Sequence, residues 1–280
     1  MEILELLNIG SKQLKNKKII SHRLDSEILL SKVLNKTREE LLISLNQEVL
    51  PQKINHYRRF IYRRSSKEPV AYILKEKEFW SKSFFVNNNT LIPRPETELM
   101  VEKIIKIFEA KDIFILDIGT GTGCILLSIL NELKKSKGIG IDISQKAIKI
   151  AKQNAKKHKF TQKAKFYRKS LADIYHKKFD LIVSNPPYIM RKDLKNLDDD
   201  IKKFEPKLAL DGGNDGLDVI KKVIYKSKSI LKIKGMLALE IGNEQFKKVS
   251  KILRRNKFKI RYLIKDYREN IRCVLSTLEN

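Results

Sequence analysis

Cysteine is scarce in this chain of 280 residues: Cys124 and Cys273 stand far apart, without the paired spacing of a disulfide framework or a metal knuckle. Histidine is nearly as rare, and His22, His56, His158 and His176 fall in no ligand pattern. Reduced thiols and no bound metal are therefore expected. No apolar run approaches the roughly 18 residues that span a bilayer, and the first residues, MEILELLNIGSKQLKNKK, lack the basic, apolar and small-residue order of a signal peptide. A soluble, cytoplasmic protein with no membrane partner is the expectation. Acidic residues are also in short supply, 33 against 59 Lys and Arg, for a formal charge of +26. Such an excess attracts polyanions. It is mostly lysine, however, spread over every segment of a chain rich in Ile and Asn, as an AT-biased coding sequence places it on solvated faces. Charge alone does not select nucleic acid as the partner.

What is present is 42% hydrophobic and 33% charged residues, a globular balance at a length that supports one large or two modest domains. From Ile3 to about Lys75, apolar residues recur at helical spacing, as in Leu24, Ile28, Leu29 and Val33. Ser21 and Thr37 are placed as N-caps and Pro51 at a helix start. The spacing predicts an all-helical domain of four or five short helices over residues 1–75. The next stretch, EKEFWSKSFFVNNNTLIPRPETE, is aromatic and β-branched, which predicts a β-hairpin connector over 76–95 with its turn near Asn87 to Asn89. Beyond Glu96, strands such as IFILDIG, GIGIDIS, FDLIVSN and MLALEIG alternate with amphipathic helices. That order predicts an α/β domain over 96–280, with a seven-stranded, mostly parallel sheet covered on both faces. The last two strands are joined only by YREN, so the final one is expected to run antiparallel.

LDIGTGTGC puts Asp117, Gly119, Thr120, Gly121, Thr122 and Gly123 at the carboxyl end of the first strand of that sheet, where ligands of open α/β sheets sit. A dinucleotide fingerprint wants G-x-G-x-x-G, and Cys124 occupies the third glycine's place; the pattern is G-x-G-x-G. Asp142 ends the second strand, where a carboxylate accepts both hydroxyls of a ribose, while Ser144 is the better-placed cap for the following helix. The acid does not separate NAD from S-adenosyl-L-methionine. Asn185-Pro186-Pro187-Tyr188 after the fourth strand does. Its prolines fix two φ angles and remove two donors, so Asn185 and Tyr188 are held in a set relation. A rigid turn is the plain reading of such a segment. The chemical reading is sharper: the Asn185 side-chain oxygen and the Pro186 carbonyl accept hydrogen bonds from an NH₂ group, and Tyr188 packs on a planar substrate. Amide and exocyclic amino nitrogens need that help to aim a delocalised lone pair at a methyl group.

The Asn-Pro-Pro-Tyr segment resembles the motif of amino-nitrogen methyltransferases acting on adenine, on guanine of ribosomal RNA, or on a glutamine amide. With EPVAYILKEKEFW, LIPRPETELMVE, LDIGTGTG, EPKLALDGGNDGLD and LEIGNEQ, the chain is similar over essentially its whole length to the peptide chain release factor glutamine methyltransferase family. The resemblance implies a Rossmann-like methyltransferase fold and S-adenosyl-L-methionine as cofactor. It implies class 1 peptide chain release factors as partners, methylated at N5 of the glutamine in their Gly-Gly-Gln loop to modulate translation termination. It assigns cofactor contacts to Gly119 through Gly123, Asp142 and Asn185, and puts Asn185, Pro186, Pro187 and Tyr188 on the glutamine. Ser170 and Leu171 stand at the adenine edge, where the family pattern has an acidic or aromatic residue, and Lys75 stands where it has Gly. Arg94 and Glu96, fixed by Pro93 and Pro95, are read as lining the substrate pocket or forming a structural salt bridge. A monomer is expected, with the helical domain helping to dock the release factor. A DNA adenine or ribosomal RNA methyltransferase and a catalytically silent RNA- or ribosome-binding module are the alternatives. DGGNDGLD lacks the alternating ligands of a calcium loop, so Asp215 or Asp218 is expected to cap the next helix, and LDDD at 197–200 to be a solvated loop. Cys124 is read as a small packing residue.

Overall fold

The computed structural model describes residues 1–175 and 178–279, so His176 lies outside the described residues. Two compact units are distinguished. The first comprises Met1–Glu76 together with Asp198–Phe204, and the second Lys77–Leu197 with Glu205–Asn280.

In the first unit, α1 (Ile3–Asn16), α2 (His22–Leu34), α3 (Arg38–Ile43), α4 (Pro51–Ser65) and α5 (Val70–Leu74) enclose a core that includes Leu6, Leu14, Leu29, Leu30, Leu41, Tyr57 and Ile61. Thr37 opens α3 with a reciprocal cap: its hydroxyl accepts from Glu40 N, and the Glu40 carboxylate accepts from Thr37 N. Pro51 is the first residue of α4, where its missing N–H costs no hydrogen bond. Ser21 stands at the head of α2 but makes no capping bond; its hydroxyl donates to Asp25 at 2.9 Å instead. Lys75 ends α5 with φ of 58°, the left-handed conformation that favours glycine. Lys75 adopts this turn at some steric cost.

The hairpin pairs β1 (Glu76–Phe79) with β2 (Lys82–Phe85). Its turn is Trp80–Ser81, both with positive φ, not Asn87–Asn89. Two left-handed residues match the right-handed strand twist in a two-residue turn, and neither Trp nor Ser advertises that conformation. The asparagines form a separate turn, with Asn87 Oδ1 accepting from Asn89 N and Asn87 O from Thr90 N.

The second unit continues with α6 (Pro95–Phe108), β3 (Phe114–Ile118), α7 (Cys124–Glu132), β4 (Lys137–Asp142), α8 (Gln145–Lys157), β5 (Ala164–Arg168) and β6 (Phe179–Ser184). The excursion α9 (Asp199–Phe204) belongs to the first unit, and α10 (Asp218–Ile230), β7 (Leu231–Glu240), α11 (Phe246–Arg255), β8 (Phe258–Lys265) and β9 (Ile271–Leu278) complete the chain. The sheet order is β5-β4-β3-β6-β7-β9-β8, parallel from β5 to β7, with β9 antiparallel to both its neighbours. Alternate residues of a strand face opposite ways. Ile115, Leu181, Val183 and Ala238 pack with α6, α7 and α8 residues such as Met100, Leu126 and Ile148. Leu116, Ile182, Leu237 and Leu239 pack with Ile220 and Ile224 of α10 and Val249 and Leu253 of α11. Both faces are thus buried, which is why these strands read as continuous apolar runs. The strand order reverses direction between β3 and β6, so the carboxyl ends of β3, β4 and β6 surround one crevice.

Candidate active site

That crevice is a cavity of ≈ 870 Å³. Gly119, Thr120, Gly121 and Thr122 line it from β3, Asp142 from β4, Ser170 and Leu171 from the segment after β5, and Asn185 and Pro187 from the end of β6. Arg94 and Thr97 also face it, whereas Gly123, Pro186, Tyr188 and Glu96 lie outside the lining.

The turn after β3 has three glycines at positive φ: Gly119 at 72°, Gly121 at 54° and Gly123 at 80°. A Cβ on Gly119 would meet nothing within 4 Å, so the backbone itself faces the open cavity. Asp142 braces this turn: Oδ2 accepts from Gly121 N at 3.1 Å and Oδ1 from Ser144 N at 2.8 Å. Each oxygen keeps a lone pair for another donor, and burial raises the carboxyl above its ordinary pKa against those two hydrogen bonds. Ser144, not Asp142, caps α8 by accepting from Ala147 N. Beneath the turn, Asp117 is fully buried; Oδ2 accepts from the Thr120 hydroxyl at 2.6 Å, and Oδ1 has no partner among the described residues. Burial first, with the Asp142 charge adding, pushes its carboxyl up to about 7. The Asp142 carboxylate lines a largely apolar cavity and suits a cation, and its free lone pairs suit a ribose diol. The residues therefore fit a nucleoside that carries a positive charge.

Asn185 follows the buried strand β6 directly, and its Nδ2 donates to the Thr97 hydroxyl at 3.4 Å. Thr97 in turn donates to Glu240 Oε2 at 2.6 Å. Tyr188, pushed up to about 12 by burial and by the Glu240 charge, stays protonated and donates to Glu240 Oε1 at 3.4 Å, while Arg272 donates to the Tyr188 hydroxyl at 2.9 Å. Arg94 lines the cavity and donates to the buried Glu205 at 2.5 Å, the structural salt bridge that was one of its two expected readings, and Glu205 further accepts from Ile92 N. Thr97, Glu240 and Arg272 carried no role from sequence reasoning. The available signal was an acid closing the apolar run MLALE, since a charge at the end of a buried strand needs partners.

Two loops differ from expectation. Leu217 heads α10 with no side-chain cap; Asp215 accepts from Leu217 N just outside the helix, and Asp218 is its first residue. The loop Asp211–Gly216 instead backs the catalytic candidate: Ile189 N donates to Leu210 O, Gly212 N to Ile189 O and Arg191 N to Gly213 O. The acidic stretch at 197–200 is not simply a solvated loop, since Asp199 and Asp200 open α9 and Asp200 pairs with the buried Arg64 at 2.7 Å. Cys124 is buried, and burial pushes its thiol up to about 12, so it packs and does not react. Among the described residues, no cluster of His, Cys, Asp and Glu could hold a metal ion, and no helix is long and apolar enough to cross a membrane.

The methyltransferase domain family model matches residues 109–274, and the PrmC N-terminal domain model matches residues 5–74. Release factor glutamine methyltransferase of Fusobacterium nucleatum subsp. nucleatum is 38% identical over 279 residues, covering 98% of this chain and 78% of that protein. The protein of the same description from Buchnera aphidicola subsp. Schizaphis graminum is 40% identical, covering 96% of this chain and 94% of its own length. A solved methyltransferase from Pyrococcus furiosus shares the fold with a TM-score of 0.55 at 15% identity, covering 81% of this chain and 99% of that one. Sheet order, glycine turn and domain match together define an S-adenosylmethionine-dependent methyltransferase with a Rossmann-like fold. Within that class, the chain belongs to the release factor glutamine methyltransferase family.

Proposed function

We propose that this enzyme methylates N5 of the glutamine in the Gly-Gly-Gln loop of class 1 peptide chain release factors, in the cytoplasm, and so modulates translation termination. The observation that carries the reading is that Asn185 and Pro187 face the same cavity as the glycine turn and Asp142. A carboxamide-recognising segment and a nucleoside-binding turn thus share one space. When bound, S-adenosylmethionine supplies an electrophilic methyl and departs as a neutral thioether. Gly119 to Thr122 and Asp142 would hold it, with Ser170 and Leu171 at the adenine edge. The Asn185 oxygen and the Pro186 carbonyl accept the two N–H bonds of the glutamine side chain, which turns the nitrogen lone pair out of conjugation. Holding the reacting atoms about 3–3.5 Å apart and in line is a large share of the rate. The nitrogen's extra proton is lost to water once the N–C bond has formed, so no strong base is needed. Arg94 borders the pocket that receives the glutamine, and the helical unit is assigned to docking the factor.

The test is methyl transfer from labelled S-adenosylmethionine to a purified class 1 release factor, to its Gly-Gly-Ala variant, to duplex DNA and to ribosomal RNA. Label on the wild-type factor alone is the expected result. Label on nucleic acid would leave the amino-nitrogen chemistry standing and overturn the substrate.

A further inference from the structure

A buried acid that the methyl transfer does not touch lies behind Asn185 and Tyr188. Glu240 closes β7, is 1% exposed, and receives a hydroxyl on each carboxylate oxygen. Both hydroxyls donate to it, Thr97 to Oε2 and Tyr188 to Oε1. Thr97 has a single proton, and it is committed to Glu240 Oε2 at 2.6 Å. Its oxygen can then only accept from Asn185, 3.4 Å away, which requires the NH₂ side of the carboxamide to face Thr97. On the other branch, Arg272 donates to the Tyr188 hydroxyl, whose own proton is left for Glu240 Oε1.

We infer that Glu240, acting through Thr97, is the positioning residue that sets the orientation of the Asn185 amide, so that its oxygen and not its nitrogen is presented to the substrate. The same carboxylate holds Tyr188, so one side chain grips both ends of Asn-Pro-Pro-Tyr. An isolated carboxamide has two nearly isosteric orientations, and the flipped one would offer N–H groups to a substrate NH₂, donor against donor. The chain of donors running Asn185 to Thr97 to Glu240 removes that orientation. Desolvation raises the Glu240 carboxyl, which alone would favour its neutral form; Thr97, Arg272 and Tyr188 oppose this. Glu96, whose charge also raises it, is the other ionisable group acting on Glu240, together with Cys273, whose thiol is buried. The inference rests on the proposed role of Asn185.

The test pairs two measurements on the full chain. In cofactor-free protein with labelled asparagine, the side-chain amide protons of Asn185 are followed by NMR hydrogen exchange. Thr97→Val, which keeps shape and removes the hydroxyl, is expected to speed their exchange by about tenfold or more, the scale of one lost hydrogen bond. Thr97→Ser is expected to restore slow exchange. Equal exchange in all three proteins overturns the relay, whatever the substrate proves to be. With a release factor as substrate, Thr97→Val is expected to lower kcat by about 10–100-fold with little change in KM, as for a misdirected preorganised group. It should add almost nothing to the loss caused by Asn185→Ala. Full additivity with Asn185→Ala would overturn the positioning role while leaving Asn185 in the reaction. Normal turnover of Asn185→Ala itself would sink the proposed function first, and the exchange data would still decide the relay. Glu240→Gln, of unchanged volume, must present an N–H to one branch and is expected to lower kcat about tenfold; wild-type kcat there assigns the orientation to Thr97 alone and overturns the role of the acid.

Discussion

Asp117 of β3 and Asp142 of β4 both accept from the glycine turn after β3 but differ in how their charges are compensated. Asp142 has a backbone N–H on each oxygen, whereas one oxygen of the fully buried Asp117 has no partner among the described residues. On the proposed cofactor assignment, removing Asp142 deletes two charge-assisted acceptors for a ribose. Asp142→Ala is expected to weaken S-adenosylmethionine binding by about 1–3 kcal/mol, and unchanged affinity by calorimetry would take Asp142 out of the site. Asp117 makes a prediction about stability. Its folded carboxyl lies near 7, well above the ordinary carboxylate value of 3.8. Between those values the folded state binds the proton that the unfolded state releases, so stability falls as pH rises through the window and levels off above it. At about 1.4 kcal/mol per pH unit, the loss reaches at most about 4 kcal/mol. Asp117→Asn should remove that loss. Urea unfolding of the two cofactor-free proteins from pH 4 to 8 checks it, and a stability difference that stays constant across that range contradicts the assignment.

The elements of each unit were legible in the sequence wherever one physical rule governed them. Buried parallel strands read as apolar runs, Thr37 and Pro51 marked helix starts, and the short YREN link forced an antiparallel end to the sheet. The misses share a cause: they depend on contacts between distant segments. The Trp80–Ser81 turn lacks the Gly or Asn that favours positive φ, and the hairpin it closes is held by other parts of the chain, with Asn154 accepting from Phe85 N and donating to Phe85 O. The Asp211–Gly216 loop looked like a helix cap because its acids precede a helix. Its position is set by the backbone of residues 189–191. Gly212 shows how close that packing is: an added Cβ would fall 2.8 Å from both Pro187 O and Tyr188 Cα, backbone atoms that cannot swing aside. Gly212→Ala is therefore expected to displace the Asn-Pro-Pro-Tyr segment, at a stability cost of about 1–3 kcal/mol. Turnover should fall further than that cost explains at a temperature where the variant is fully folded. Wild-type kcat in folded Gly212→Ala would mean that the segment is positioned without the loop.

At the scale of the whole molecule, the charge of +26 is the feature that sequence alone left ambiguous, and the fold does not gather it at the site. The cavity lining sets Arg94, Lys169, Lys222 and Lys226 against Asp142 and Asp211, so it holds only a small part of the excess. Elsewhere many lysines are spent locally: Lys203 pairs with Asp199, Lys232 with Asp180 and Lys265 with Glu269. Exposed pairs of this kind contribute about 0–1 kcal/mol each, which is what solvated faces require and no more. A protein substrate and a nucleic acid then predict different salt responses. An enzyme that recognised a polyanion through six to ten phosphate contacts would lose about 10³–10⁵ in affinity between 50 and 200 mM salt. One that grips a glutamine by a backbone carbonyl and an asparagine has no counterions to release at the reacting group. Its kcat/KM for the release factor should fall by less than about tenfold over the same range, since only screened surface attraction is lost. A loss on the polyanion scale would show that the lysines carry recognition, and would move the substrate from a peptide loop to a phosphate backbone.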